Sequence, residues 1–567
     1  MLRLSELKLP LDHSDADLTD ALCRRLRIRP EQLLEQRLVK RSIDARRRQA
    51  IQLAYSVEIR LEAQLEQQLL QRFRRDPHLQ PATDQHYLPV TAAPPGIADG
   101  TLPRPVVVGA GPCGYFAALL LAQMGLRPLL LERGQAVKQR TADTFGFWRG
   151  ERPFNPESNA QFGEGGAGTF SDGKLYSQVS EPRAYVRKVL EELVDAGASP
   201  EILTLHRPHI GTFKLATVVR GLRSRIEALG GEVAFGCRVS ALELEPGSRA
   251  VRAVVLADGG RIPVTAVVLA VGHSARDTFA WLHSQGVAME AKPFAMGVRI
   301  EHPQPLIDRA RWGAAAGHPR LGAAEYKLVH HCREPANLGR DVYSFCMCPG
   351  GLVVGATSEA GAVVTNGMSQ HSRNERNANS GIVVNVTLAD VEPYGRAAGD
   401  PLAGVAFQRH WEQRAFAAGG SSLRAPAQRL ADFLAGRPSV DPAPTPEGPA
   451  PAEALAVQPS CQPGVLFTDL EPCLPGFVTS ALREALPCFD RTLPGFCRQD
   501  AVLTGVETRT SSPLRVLRCP DSLRSVNTPG LYPAGEGAGF AGGILSAAID
   551  GIKVAEQLAL ALVRLQG

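Results

Sequence analysis

The sequence predicts an α/β fold built around a dinucleotide-binding Rossmann-like domain, and three observations predict it. The first is the run Val106-Val107-Val108-Gly109-Ala110-Gly111-Pro112-Cys113-Gly114, followed by Leu129-Leu130-Leu131-Glu132. It reads as strand, glycine turn, helix, strand and acid. The second is Val267-Val268-Leu269, an apolar strand ending in the small residues Ala270-Val271-Gly272. The third is the late strand Leu531-Tyr532-Pro533, whose glycine-rich continuation to Gly543 runs into helical spacing from Ile544 to Leu562. Strands that alternate with helical stretches in this way build a parallel sheet.

Each part of the first motif has a physical task. Gly109 permits the tight turn, Gly111 lets backbone amides approach a pyrophosphate, and Gly114 lets helix and sheet pack closely. Pro112 opens the helix, whose unpaired N–H groups and dipole favour phosphate. Cys113 is expected to be merely a small residue there. Glu132 lies 18 residues past Gly114 and is placed to accept hydrogen bonds from a ribose diol, with Arg133 beside it. A second loop, Gln161 to Leu175, carries Gly165, Gly166, Ala167, Gly168 and Thr169, a composition that brings backbone close to a pyrophosphate or a flat ring.

At these residues, and along nearly the whole chain, the sequence resembles the FAD-dependent dehydrogenases of bacteria and plastids, a largely uncharacterised family of glutathione-reductase-like two-dinucleotide-fold flavoproteins. The most specific stretches are Gln161 to Leu175, Gly297 to His302, Phe345 to Gly351, Asn366 to Ser369, Asn377 to Ser380 and Gly535 to Gly543, with Val39 to Arg46 also fitting. The resemblance implies non-covalent FAD and no particular substrate. It implies that the segment ending at Val239 passes the adenine, that Ala270 and Gly272 flank the cofactor, and that the C-terminal strand returns to the FAD domain. Gly535 and Glu536 would then meet the ribityl chain, and Gly542, Gly543 and Ile544 would open a helix aimed at the flavin.

The chain has 567 residues, enough for several domains. Its 44% hydrophobic and 21% charged content is that of a soluble globular protein. A net charge of +5 is too mild to demand a nucleic-acid partner. No apolar run reaches membrane-span length, and the early residues lack an apolar signal core. Eleven cysteines without a CxxC pair argue for a reducing, cytoplasmic setting and against a disulfide framework or a zinc ribbon, and no metal site is expected.

The expected layout is a small α+β module at 1–88 with a βαββα order, a proline-containing linker at 89–104, and the FAD-binding domain at 105–287. A mixed α+β substrate-side domain follows at 288–500, with a proline-rich surface loop at 437–459, and 501–567 is the return to the FAD domain.

Four side chains are catalytic candidates. Cys346 and Cys348, two apart in a strand, would point one way and form a redox pair or touch substrate; small buried residues are the alternative. His302 is a proton donor or acceptor near the flavin, and Arg299 a fork for an anionic substrate, against a structural Arg299–Glu301 pair. Arg373, Asn377 and Asn379 are polar enough to line a pocket, and Glu164, Asp172 and Lys174 stand in the flavin loop with roles left open. No second GxGxxG is present, so NAD(P)H would act as a transient donor docking over the flavin.

The expected function is an FAD-dependent oxidoreductase moving a hydride or two electrons between a small organic substrate and an acceptor. Alternatives are an RNA-associated flavoprotein assisting base modification and a non-catalytic flavin-binding sensor or assembly protein. The basic cluster Arg37, Lys40, Arg41, Arg46, Arg47 and Arg48 would serve the RNA reading. However, residues 1–88 hold sixteen basic and thirteen acidic residues, and no aromatic falls within 37–48, so a solvated basic face is the stronger reading.

Overall fold

The computed structural model describes residues 1–98, 102–176, 182–441 and 456–564. Most of the proline-rich stretch 437–459 lies outside the described residues.

The N-terminal module follows the expected order and adds a strand. Strand Leu2–Pro10, helix Asp15–Leu26, strands Glu35–Asp44 and Gln52–Arg60, and helix Ala63–Arg72 are followed by the short strand Leu79–Pro81. The sheet is antiparallel, with Leu2–Pro10 between Gln52–Arg60 and Leu79–Pro81 and with Glu35–Asp44 at one edge. Leu2 and Leu4 alternate inward with exposures of 1% and 0%, as period-2 patterning requires. Ser14 starts the first helix through a reciprocal capping box with Asp17. The module is not separate from the rest. Its buried leucines belong to the same continuous apolar core as Met296, Val298 and Ile300 of the following domain. The linker is also pinned: the Tyr87 hydroxyl donates to Glu556 at 2.6 Å on the last helix, and Ala93 N–H donates to the Met124 carbonyl at 2.7 Å.

The dinucleotide motif lies in a five-stranded parallel sheet. Its order is Leu531–Pro533, Val267–Leu269, Val106–Val108, Leu129–Leu131, Glu232–Ala234. Apart from the edge strand Glu232–Ala234, these short strands are apolar on both faces because both faces are covered. Val107, Leu130 and Val268 pack under helices Pro112–Gln123, Thr212–Ala228 and Ile544–Arg564. Val106, Leu129 and Val267 pack against a three-stranded antiparallel layer (Val239–Leu244, Val251–Leu256, Arg261–Pro263) and helix Arg276–Ser284.

A seven-stranded sheet forms the next body. Its centre is Phe294–Pro303, flanked by Asn377–Val386 on one side and Val502–Glu507 on the other. The last pairing corrects the boundary read at residue 500. Val502–Glu507 hydrogen-bonds to the inserted sheet, and the chain crosses back only at the ribbon of Met289–Ala291 with Leu514–Val516. A buried apolar strand does not state which of two sheets it joins, and tertiary pairing decided this one.

Ile300 is fully buried at the centre of this sheet. Ile300→Ala should cost about 2–5 kcal/mol. Because one core joins module and insert, both should unfold in a single denaturant transition. A module that remains protease-resistant after the insert has melted would contradict the shared core.

Candidate functional site

One cavity of about 920 Å³ runs from the glycine turn at Gly109 and Gly111 to Cys346 in the inserted domain. The C-terminal ends of the parallel strands open into it, as ligand crevices of such sheets do. Gly109 adopts φ +104°, and a Cβ there would lie 2.4 Å from the Ala270 carbonyl oxygen, so this turn admits only glycine. A Cβ on Gly114 would stand 1.8 Å from the Gly109 carbonyl oxygen, which is the close helix–turn approach expected of it.

Of the residues expected around the cofactor, Gly109, Gly111, Pro112, Cys113, Glu132, Arg133, Gly166, Ala167, Gly168, Val239, Ala270, Gly272, Glu536, Gly542, Gly543 and Ile544 all line this cavity. Gly114, Gly165, Thr169 and Gly535 do not; they stand behind its wall. Gly165 N–H donates to the Ala110 carbonyl at 2.8 Å, Thr169 is tied to the Glu164 carbonyl at 3.3 Å, and Gly535 N–H is held by Asp550 at 2.7 Å. Their glycine or hydroxyl signals are those of loop construction.

Glu132 is more committed than its position predicted. Its carboxylate accepts from the N–H groups of Ala110 (2.7 Å), Gly134 (2.9 Å) and Gly163 (2.9 Å). Two carboxylate oxygens offer about four acceptor positions, so room for a ribose hydroxyl is small and the carboxylate first ties the two glycine loops together. Arg133 bonds Glu157 at 2.8 Å and Asp277 at 2.9 Å, and lies 4.2 Å over the Phe162 ring. Cys113 is deeply buried and burial pushes its thiol well up, as fits a small packing residue.

Arg140 escaped the sequence reading. It is fully buried, and its guanidinium donates to the carbonyls of Asn159 (2.9 Å), Ala160 (3.1 Å), Gly163 (3.2 Å), Glu164 (2.7 Å) and Gly166 (2.9 Å). The glycine loop is thus wrapped around one cation. Burial lowers the Arg140 pKa to about 10, against the charges of Glu132 and Glu164; it stays protonated at neutral pH. Glu164 accepts from Tyr115 Oη at 3.0 Å and from Val137 N–H at 2.6 Å, and so caps the helix that carries Arg140. A lone arginine in a helix leaves no pattern from which this could be read.

At the far wall the structure revises the expectations for the inserted domain. Strand Asp341–Cys348 is bulged between Phe345 and Cys348, and Cys346 adopts φ +44°. The bulge breaks the alternation that would have aimed both sulfurs one way. Cys346 lines the cavity, whereas Cys348 is fully buried behind it and donates its thiol to the Cys346 carbonyl at 3.3 Å. Cys348 Sγ–H and the charges of Arg299 and Lys174 hold the Cys346 thiol below its ordinary pKa, while the Cys348 thiol is pushed up.

Arg299 is not a substrate fork. It is fully buried and bonds Glu507 (2.9 and 3.1 Å), Asn379 Oδ1 (2.8 Å), Asn366 Oδ1 (3.2 Å) and the Cys346 carbonyl (3.2 Å). Those contacts use all five of its donors. The ion pair is with Glu507, not with Glu301, which instead accepts from Asn377 (2.9 Å) and Ser460. Burial raises Glu507 to about 6, so the pair is charged at neutral pH. His302 is likewise corrected. It is buried outside the cavity, donates Nε2–H to the Phe496 carbonyl at 2.7 Å, and is held to a pKa of about 4 by burial. It has no reach to the site. Asn377 and Asn379 serve these networks, Arg373 pairs with Asp172 at 2.9 Å, and Lys174 donates to the Met347 carbonyl.

Arg140→Met should strand five buried carbonyls. Each unsatisfied group costs about 1–3 kcal/mol, so the loss belongs at the severe end, above about 4 kcal/mol. Residues 159–170 should become a site of proteolytic nicking. An unchanged melting temperature would refute the loop's dependence on this cation.

Comparison with known proteins bears on the whole chain. Residues 293–510 match the family model "FAD-dependent protein, C-terminal domain-like", and residues 1–60 match a "Domain of unknown function (DUF8436)". An uncharacterized protein of Clostridium beijerinckii is 44% identical over 557 residues, covering 98% of each chain. Among solved structures, tetracycline destructase Tet(51) is 12% identical over 82% of this chain and 83% of its own, with a TM-score of 0.32. CtdE in complex with FAD and substrate 4 is 12% identical over 82% of this chain and 81% of its own, with a TM-score of 0.31. Likenesses that distant carry no argument about this chain. The family match and the full-length relative do: the chain belongs, with the Clostridium beijerinckii protein, to a family of FAD-dependent proteins.

Proposed function

We propose that the protein is an FAD-dependent oxidoreductase, a dehydrogenase in reaction type, with a glutathione-reductase-type FAD domain and a small organic substrate entering from the inserted domain. The observation that carries this reading is the single cavity joining the glycine turn, the N-terminus of helix Ile544–Arg564 and the Cys346 bulge. Its walls fit the cofactor. A Cβ on Gly272, Gly542 or Gly543 would meet nothing within 4 Å, and one on Gly111 only the Gly166 Cα at 3.9 Å. These glycines leave a cradle empty that side chains would fill.

When bound, FAD supplies the exchange of two electrons; the chain supplies binding and electrostatics. Gly111 and the start of helix Pro112–Gln123 offer backbone N–H groups to phosphate, whereas the Gly109 N–H is taken by the Leu131 carbonyl at 2.8 Å. The opening of helix Ile544–Arg564 places a positive dipole end in the wall, where negative charge on a reduced ring would be stabilised. His273, whose Nδ1 lies 3.4 Å from Glu536, leaves its buried Nε2 without a partner in the same wall, a donor or acceptor for a bound group. Arg299 and Lys174 pin the carbonyls of Cys346 and Met347 and favour the Cys346 thiolate, so Cys346 is the residue expected to meet substrate. A transient NAD(P)H donor would dock over the flavin in this cavity.

Anaerobic addition of NADH, NADPH and a metabolite panel to the yellow holoprotein tests the function: at least one should bleach the flavin within seconds. A flavin reducible only by dithionite would reject the dehydrogenase reading. Gly542→Val adds a side chain only to the cradle. It should lower FAD occupancy at least about tenfold while the apoprotein keeps its circular dichroism; full occupancy would show that FAD lies elsewhere. For Cys346, cations favour the thiolate, so alkylation by iodoacetamide should rise with pH earlier than for an ordinary thiol, and Arg299→Met should move that rise to higher pH. A profile unmoved in this variant would remove Arg299 from the activation of Cys346.

A further inference from the structure

The edge strand of the inserted sheet has two faces with different neighbours. Val329–His331 is three residues long and pairs with Asp341–Cys348 at the end of the sheet order. Val329 lines the cavity. Successive side chains alternate across a strand, so His330 turns to the other face, where it meets helix Gly476–Thr492. The pairing runs one step past the strand, with Cys332 N–H donating to the Arg340 carbonyl at 2.9 Å. Cys332 therefore follows His330 on that face.

Both meet Glu484 of the helix. His330 Nε2–H donates to Glu484 Oε1 at 3.1 Å, and the ligand atoms of His330, Cys332 and Glu484 all lie within 4.8 Å of one another. Among the described residues no other three His, Cys, Asp or Glu side chains gather so closely. Cys332 is 6% exposed and the Glu484 side chain 8%. The carboxylate is oriented by the Arg333 N–H at 2.7 Å and by Asn337 Nδ2–H at 2.9 Å. Asn337 is itself 1% exposed, and its Oδ1 is buried without a hydrogen-bond partner. Cys488 lies one helical turn beyond Glu484, on the same helix face, and its thiol donates to the Glu484 carbonyl at 3.5 Å.

Imidazole nitrogen, thiolate and carboxylate are the ordinary ligands of zinc, at about 2.0–2.3 Å. Around one tetrahedral ion such atoms stand about 3.3–3.6 Å apart. The His330–Glu484 pair is thus already near ligand spacing, and Cys332 has about 1 Å to move. One thiolate and one carboxylate neutralise a divalent charge, which suits a buried position. Hydrogen bonds like those of Arg333 and Asn337 are what orient a ligating carboxylate from outside.

We propose that His330, Cys332 and Glu484 bind a divalent ion of the zinc type, with Cys488 or a water in the fourth position, and that the ion staples the edge strand to helix Gly476–Thr492. Binding releases two protons to solvent, one from His330 Nε2 and one from the Cys332 thiol. None of the four residues lines the cavity, so the ion is structural and fixes the Val329 wall segment from behind. The sequence has no CxxC pair to announce the site, because His330 and Glu484 stand 154 residues apart.

Cobalt(II) tests the site in the FAD-loaded protein, because the d–d bands of a tetrahedral thiolate site fall to the red of the flavin. After chelator treatment, one equivalent of cobalt(II) should raise a red band that zinc(II) then abolishes. Cys332→Ala and His330→Gln should each weaken cobalt(II) binding at least about tenfold, with the flavin spectrum and circular dichroism unchanged. His331→Gln, one residue along on the opposite face, should keep the band. A dimmer band in Cys488→Ser supports the site and places a second thiolate on the ion; an unchanged band supports it and places water there. Zinc(II) should raise the melting temperature of the wild-type protein and not that of Cys332→Ala. No red band in the wild-type protein, an equal band in Cys332→Ala, or a melting temperature indifferent to zinc(II) would overturn the proposal and leave His330 and Glu484 a plain hydrogen-bonded pair.

Discussion

The geometry of the glycine-turn end of the cavity depends on one buried cation. Arg140 contributes no contact of its own to the cavity, yet five carbonyls of residues 159–166 converge on its guanidinium. A loop rich in glycine has high conformational entropy when free, and its carbonyls would need water or a donor if buried. One planar group with five N–H donors meets both demands at once. Glu132 completes the arrangement from the other side by accepting N–H groups from the first glycine turn and from this loop. The two backbones then pass so closely that a Cβ on Gly166 would stand 2.9 Å from the Gly111 Cα.

The opposite end uses the same device. There too cations hold carbonyls, Arg299 from full burial and Lys174 from the cavity wall itself. Arg299 grips the Cys346 carbonyl and Lys174 the Met347 carbonyl, fixing a bulge in which a non-glycine residue takes a left-handed conformation. Such a conformation persists only where the surroundings over-determine it. Glu507 balances the Arg299 charge from Val502–Glu507, the strand that belongs to the inserted sheet and not to the return. Placement of that strand thus governs the electrostatics around Cys346.

Much of this was legible beforehand. The glycine turn, Glu132, the second glycine loop and the C-terminal return were each read from short-range spacing, and sixteen of the twenty expected cofactor residues line one cavity. The residues that stand away from the cavity share a cause. Gly114, Gly165, Thr169 and Gly535 carry the same local signal as their neighbours, but whether a residue faces a cavity or supports its wall depends on packing from elsewhere in the chain. Arg299 and His302 looked like chemistry because charged and titratable groups are rarely buried whole. Their partners, Glu507 and the Phe496 carbonyl, come from about 200 residues away.

By itself the sequence determined what depends on local geometry: which turns need glycine, which stretches alternate as strands or repeat as helices, and hence that an α/β fold with a parallel sheet is present. Those properties follow from sterics and side-chain period within a few residues. Only the tertiary structure decided which cations are buried and what they hold, that the cysteine pair is split by a bulge, and that Glu484 stands beside His330 and Cys332. Each of these is settled by long-range pairing of charge and backbone, and no spacing along the chain records a partner two hundred residues distant.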